Sequence, residues 1–150
     1  MKDIPSGLKA AQAAPGSARS AVYLSLAGKR VLVTGGGSGI GAGLVEAFAR
    51  QGAETIFVDI LDKDSTALVE RLKDAPIKPV FQHLDLTNLT ALETFIRSLG
   101  GIDVLVNNAG NDDRHSLQDI TPAYWDERMA VNLRHMLFAS KAAVPGMPTS

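Results

Sequence analysis

The stretch TGGGSGIG, Thr34–Gly41, limits the possible folds of this chain more than any other. It follows Arg30–Thr34, a short apolar run with a β-branched bias that reads as a buried strand. Beyond it, Ile40, Leu44, Ala47 and Phe48 recur at helical spacing until Gly52 stops the helix. A strand that turns through glycines directly into a helix brings the helix's unpaired first-turn N–H groups to the carboxyl end of a sheet. Gly35 suits the sharp turn. Gly39 and Gly41 let backbone approach a phosphate closely and let helix pack on strand. The segment as a whole, with Gly37, Ser38 and Ile40 on the loop, is read as a dinucleotide-phosphate cradle. No lysine follows the glycines, which argues against a Walker-type nucleoside triphosphate loop.

The rest of the chain repeats the strand–helix alternation. Strands are expected at Thr55–Val58, Pro79–Gln82 and Ile102–Val106. Between them, Ser65 can cap a helix that carries Leu68, Leu72 and Ala75 and stops at Pro76. A further helical face is Leu89, Leu92, Ile96 and Leu99, closed by Gly100-Gly101. Pro122 opens a long helix to about Ala143. Such alternation implies right-handed βαβ units, an α/β fold and a doubly wound parallel sheet of Rossmann type, with strand order 3-2-1-4. Residues 1–22, rich in Ala, Ser, Gly and Pro, read as a mobile tail, with a short docking helix at Leu8–Ala14 as the alternative. Residues 23–150 then form a dinucleotide-binding domain.

Composition removes several classes of function. A net charge of −1 gives no electrostatic basis for binding nucleic acid or an anionic membrane. The absence of cysteine excludes disulfides and thiolate chemistry and suits a reducing, cytoplasmic setting. No apolar run is long enough to span a bilayer. His115 and His135 lack the spacing and companions of a metal site, so no metal is expected.

Asp59 closes the second strand about twenty residues beyond the glycines, where an acid accepts hydrogen bonds from a ribose and repels a 2′-phosphate. No Arg or Lys lies among residues 35–41 or directly after Asp59, and Ile60 follows it. The expected cofactor is therefore NAD. Asp85, ahead of Leu86, can contact an adenine or cap the helix that starts near Asn88. Asn107-Asn108-Ala109-Gly110 ends the fourth strand, and amides there need partners. Asn132 stands in the otherwise apolar stretch Met129–Phe138 and reads as a buried asparagine with partners to find.

The set TGxxxGIG, Asp59, Asp85-Leu86, Asn107-Asn108-Ala109-Gly110 and Asn132 resembles the short-chain dehydrogenase/reductase family over roughly residues 24–146. The resemblance implies that Asn107 braces the end of the fourth strand and that Ala109 and Gly110 pass the cofactor. It also implies that Asn132 kinks its helix and joins the catalytic proton relay through a water. NNAGNDDRH followed by YWDERMAVNLRHMLF is similar to bacterial NAD-dependent aldose dehydrogenases, the D-xylose dehydrogenases above all. By that likeness Asn111, Asp112, Asp113, Arg114 and His115 border a sugar pocket, and the whole protein is a dimer or tetramer. The bland alternative is a solvated loop braced by Asp113–Arg114 and Asp126–Arg128 pairs.

The family's proton transfer needs a Tyr-x-x-x-Lys pair and an upstream serine. Here Tyr23 precedes Ala27 and Tyr124 precedes Arg128, so neither tyrosine qualifies. The chain is thus expected to be the cofactor-binding part of an oxidoreductase, inactive by itself and truncated before the catalytic pair. The competing expectation is a non-catalytic dinucleotide-binding remnant. Xylose, arabinose and galactose all fit the resemblance. A methyltransferase shares the glycine loop and the acid but not the NNAG element.

Overall fold

In the computed structural model, residues 21–149 are described. The readings made for the first twenty residues lie outside them. Strands β1 (Arg30–Thr34), β2 (Glu54–Asp59), β3 (Val80–His83) and β4 (Val104–Val106) form one parallel sheet in the order β3-β2-β1-β4. Val33 pairs with Phe57 on one side and Val106 on the other, and Asp59 pairs with His83. The expected topology is therefore the observed one. Because β1 lies between β2 and β4, consecutive crossovers diverge at its carboxyl end and open a crevice there.

Both faces of the sheet are covered, and β1 shows how. Val31 and Val33 face α1 (Gly39–Arg50) and α2 (Asp62–Arg71), in a core with Val45, Phe57, Leu68 and Leu72. Leu32, between them, faces the other way toward α3 (Leu89–Ser98) and α5 (His135–Ala143), beside Leu92, Ile96 and Ala139. This is the period-two alternation of a strand buried on both sides. All three β1 side chains are fully enclosed, each contributing about 1.5–3 kcal/mol relative to exposure.

Two helices differ from the sequence reading. The buried row of α1 is Gly41, Val45 and Ala49, and Ile40 is exposed. Leu44 and Phe48 only flank the core, and Ala47 is exposed. Close packing of α1 on the sheet selects its smallest residues for the contact, and a hydrophobicity pattern misses them. In α2, helix starts at Asp62, not Ser65, and ends at Arg71, well before Pro76. Asp62 and Asp64 favour that start by complementing the helix dipole, which leaves Ser65 buried inside the helix.

The long C-terminal helix is present but interrupted. α4 (Pro122–Met129), capped by the Thr121 hydroxyl on the Tyr124 N–H, runs into a π turn at Ala130–Arg134 and then into α5. β4 is shorter than expected and only half-buried, because among described elements it pairs with β1 alone.

Candidate functional site

At the carboxyl end of β1 the glycines act in three distinct ways. Gly35 has φ +66°, and a Cβ there would stand 2.7 Å from the Ala109 backbone. At Gly41 a Cβ would fall on the Gly35 carbonyl oxygen, and at Gly37 on the Ser65 hydroxyl. These positions are glycine because the protein occupies the space. Gly39 is the opposite case: its φ is +52°, yet a Cβ would meet nothing within 4 Å. Ser38 and Ile40 beside it are exposed, and the Ser38 side chain does not cap α1. The first turn of α1 therefore presents uncapped N–H groups to open space, the arrangement that accepts a phosphate.

Asp59 stands next to this turn, 9% exposed. One carboxylate oxygen accepts the Gly37 N–H at 2.8 Å and the other the Leu61 N–H at 3.0 Å. The backbone thus holds the carboxylate in one orientation, with lone pairs left for a further donor. Ile60 is exposed just beyond it, whereas Leu86 belongs to the core. Asp85 does not cap α3. Its carboxylate accepts the Thr87 N–H and hydroxyl at 2.9 and 2.7 Å, and Asn88 caps the helix on the Ala91 N–H.

The two asparagines after β4 divide the bracing in a way the sequence reading did not foresee. Asn108, not Asn107, ties the strand end to the glycine turn. Its amide nitrogen donates to the carbonyls of Thr34 and Gly35 at 3.1 and 3.0 Å. The Thr34 hydroxyl accepts the backbone N–H groups of Asn108 and Ala109. Asn107 reaches in the other direction, to the Ser140 hydroxyl at 3.2 Å and more weakly to the Met136 carbonyl at 3.4 Å. Its Oδ1 is enclosed and unpartnered. One strand terminus is so pinned to β1 and to α5.

Asn132 proves to be exposed, not buried. Its Oδ1 accepts the Asn111 N–H at 2.6 Å and its amide donates to the Asn111 carbonyl at 2.9 Å. It lies in the π turn, where a helix kink is expected from an asparagine that bonds outward. Gly110, just before Asn111, leaves room for this contact.

The same helix takes hold of the loop twice more. Arg128 Nη2 donates to the Asp113 carboxylate at 3.4 Å, and the Tyr124 hydroxyl meets His115 Nδ1 at 2.6 Å. The guanidinium also lies over the Tyr124 ring, 4.8 Å from its centroid. Tyr124, Arg128 and Asn132, spaced by four, thus clasp His115, Asp113 and Asn111, spaced by two. The expected pairs Asp113–Arg114 and Asp126–Arg128 do not form.

His135 is fully buried, and neither ring nitrogen completes a hydrogen bond among the described residues. Desolvation holds its pKa below the usual histidine value, and the nearby carbonyls of Ala130 and Val131 offset only part of this. No group of three or more potential metal-ligating side chains converges among the described residues. No helix among them is long and apolar enough to cross a membrane.

A parallel βαβ sheet with an uncapped helix N-terminus after a glycine turn at its switch point, and an oriented carboxylate at the end of the next strand, is the architecture of a Rossmann-type nucleotide-binding fold. The chain belongs to the short chain dehydrogenase family, whose family model matches residues 29–150. It is 63% identical over 128 residues to a D-xylose 1-dehydrogenase of Caulobacter vibrioides, covering 85% of this chain and 52% of that protein. It is 47% identical over 133 residues to a probable galactose dehydrogenase of Rhizobium meliloti, with the same coverage. A solved dehydrogenase/reductase of Sinorhizobium meliloti 1021 superposes with a TM-score of 0.76 at 35% identity, over 81% of this chain and 50% of that one. The chain spans about half the length of the curated relatives it matches. Similar folds have been solved with NAD, in an NADH-dependent reductase, and with NADP, in a Burkholderia cenocepacia dehydrogenase.

Proposed function

We propose that this chain is the cofactor-binding part of an NAD-dependent sugar dehydrogenase that oxidises an aldose such as D-xylose at C1 to the lactone. The observation that carries the reading is the pairing of an oriented Asp59 carboxylate beside the glycine turn with a charged, hydrogen-bonding loop, Asn111–His115, at the same end of the sheet. The open space over Gly39 would take the pyrophosphate, and Asp59 the adenosine ribose. Both Asp59 oxygens already hold a backbone N–H, so the carboxylate cannot turn away from a 2′-phosphate without losing those bonds. That favours NAD over NADP. The likeness to D-xylose and galactose dehydrogenases supports an aldose as the substrate.

Oxidation at C1 transfers a hydride to NAD and releases the hydroxyl proton to a base. This chain contributes Asn132 and the loop it anchors but carries no Tyr-x-x-x-Lys, so by itself it turns over no aldose. The whole protein works in the cytoplasm as a dimer or tetramer. The exposed Trp125, Leu133 and Leu137 of α4, the π turn and α5 support such an interface.

The test is sugar-dependent NADH absorbance by the whole protein across an aldose panel, with NADP in parallel. Reduction of NAD by D-xylose or a close aldose is expected. Preference for NADP, or no aldose oxidised, would overturn the assignment.

A further inference from the structure

The clasp between helix and loop has features that a stabilising brace does not need. Arg128 is largely buried, its side chain 18% exposed, yet Nε and Nη1 are enclosed with no acceptor. Its one ionic contact among the described residues, to Asp113, is long at 3.4 Å. Burying a guanidinium on such terms costs stability, and an apolar side chain of similar volume would serve packing better. What the arrangement secures is the geometry of the loop. Asp113 and His115 meet the helix through their side chains and Asn111 through its backbone, its carboxamide accepting the Asp113 N–H at 2.9 Å, which leaves Asp112 and Arg114 outside these contacts. Both are exposed, and neither makes an ion pair or side-chain hydrogen bond among the described residues. Asp112, Asp113, Arg114 and Arg128 together carry no net charge. Such a set offers many donors and acceptors without favouring an ion of either sign, which suits a neutral polyhydroxylated ligand.

We propose that Arg128 is a positioning residue for substrate specificity, which holds Asp113 against the helix so that Asp112 and Arg114 are presented to the hydroxyl groups of a neutral sugar. Tyr124 supports it by stacking under the guanidinium and holding His115. The proposal rests on the sugar dehydrogenase reading above. It concerns the loop alone and leaves cofactor binding, which lies at the glycine turn, independent.

The experiment measures KM and kcat for D-xylose, and NADH affinity by fluorescence, in the whole protein carrying Arg128→Met, Arg128→Lys or Tyr124→Phe. Arg128→Met should raise the sugar KM by about tenfold or more while kcat and the NADH Kd stay within about twofold, the pattern of a lost substrate-binding contact. Arg128→Lys should recover part of the loss, since an ammonium reaches Asp113 but does not stack as a planar group. Tyr124→Phe should show a smaller rise. Asp113→Asn, an exposed change that leaves the helix intact, should reproduce the KM effect if Arg128→Met fails to fold. An unchanged sugar KM in these variants, or an NADH Kd that weakens in step with KM, would overturn the proposal. If the unmodified protein oxidises no aldose, the functional reading falls and this proposal with it. If it does and the variants match it, the proposal alone fails.

Discussion

The glycine turn and the loop after β4 sit at the same end of one sheet but are specified by opposite means. The turn is defined by where a Cβ cannot go, and its partners are backbone atoms, the buried Asp59 and the partly buried Asn108. The loop is defined by side chains reaching from a helix to a stretch of chain that is itself mostly exposed. The first arrangement tolerates almost no change, because protein atoms already occupy the space at Gly35, Gly37 and Gly41. The second can be rewritten one side chain at a time without touching the core. A fold that separates the two can keep its cofactor while its substrate changes.

The largest expected effect would break this contrast if it failed to appear. Gly41→Val drives a side chain into the Gly35 carbonyl and should destabilise the protein by about 3 kcal/mol or more, since neither backbone can yield. Asp113→Ala in the loop should cost under about 1 kcal/mol, the range of exposed ion pairs. Urea denaturation of the two variants compares them directly, and equal midpoints would erase the distinction.

Next in size is Asn108→Leu, which leaves the Thr34 and Gly35 carbonyls without their donor at about 1–3 kcal/mol for each unsatisfied group. Asn107→Leu should cost less, because one of its two contacts is long and its Oδ1 is already unpartnered. Thermal midpoints in the reverse order would make the Asn107 tie to α5 the stronger of the two braces.

Gly39→Val sharpens the contrast from within the glycine turn. No atom of the described residues fills the space beside Gly39, so the fold should lose only about 1–2 kcal/mol, from the left-handed backbone. Dinucleotide binding should nevertheless be abolished, as read by NADH fluorescence. Undiminished binding in a folded variant would remove this turn from the cofactor site.

The smallest effect is a pH dependence centred on His135. Its pKa is depressed in the folded protein, so the unfolded chain takes up a proton more readily. The stability from a neutral His135 is complete above about pH 6.5 and is lost as pH falls from there toward the folded-state value. The thermal midpoint should decline over that window in the parent and less in His135→Leu. Parallel profiles would show that some other group titrates.

Much of the architecture was legible because it depends on repeats of strand and helix and on glycine. Strand order and the position of the glycine turn follow from Thr34–Gly41 and from the alternation that surrounds it. The packing face of α1 was not legible, because Gly41 carries part of the contact with no side chain, and Val45 and Ala49 lie one residue on from the larger Leu44 and Phe48. The start of α2 at Asp62 was hidden by the stronger capping reputation of Ser65. Asn107 and Asn108 are chemically identical, and only strand direction decides which one meets the turn. The clasp was missed for a different reason. Tyr124, Arg128 and Asn132 are spaced for one helix face, but their partners are spaced for extended chain, and the match appears only once the two segments are brought together.

The π turn at Ala130–Arg134 separates two stretches of helix that answer to different masters. One residue more than an α-turn holds rotates everything beyond it by about 100° around the axis. The row that starts at Tyr124 and Arg128 looks outward to the loop, whereas Ala139, Ala142 and Ala143 look inward to the sheet. The extra residue works as a phase shifter between them. Removing a single residue from this turn would leave a helix of better regularity that could satisfy the loop or the core, but not both at once.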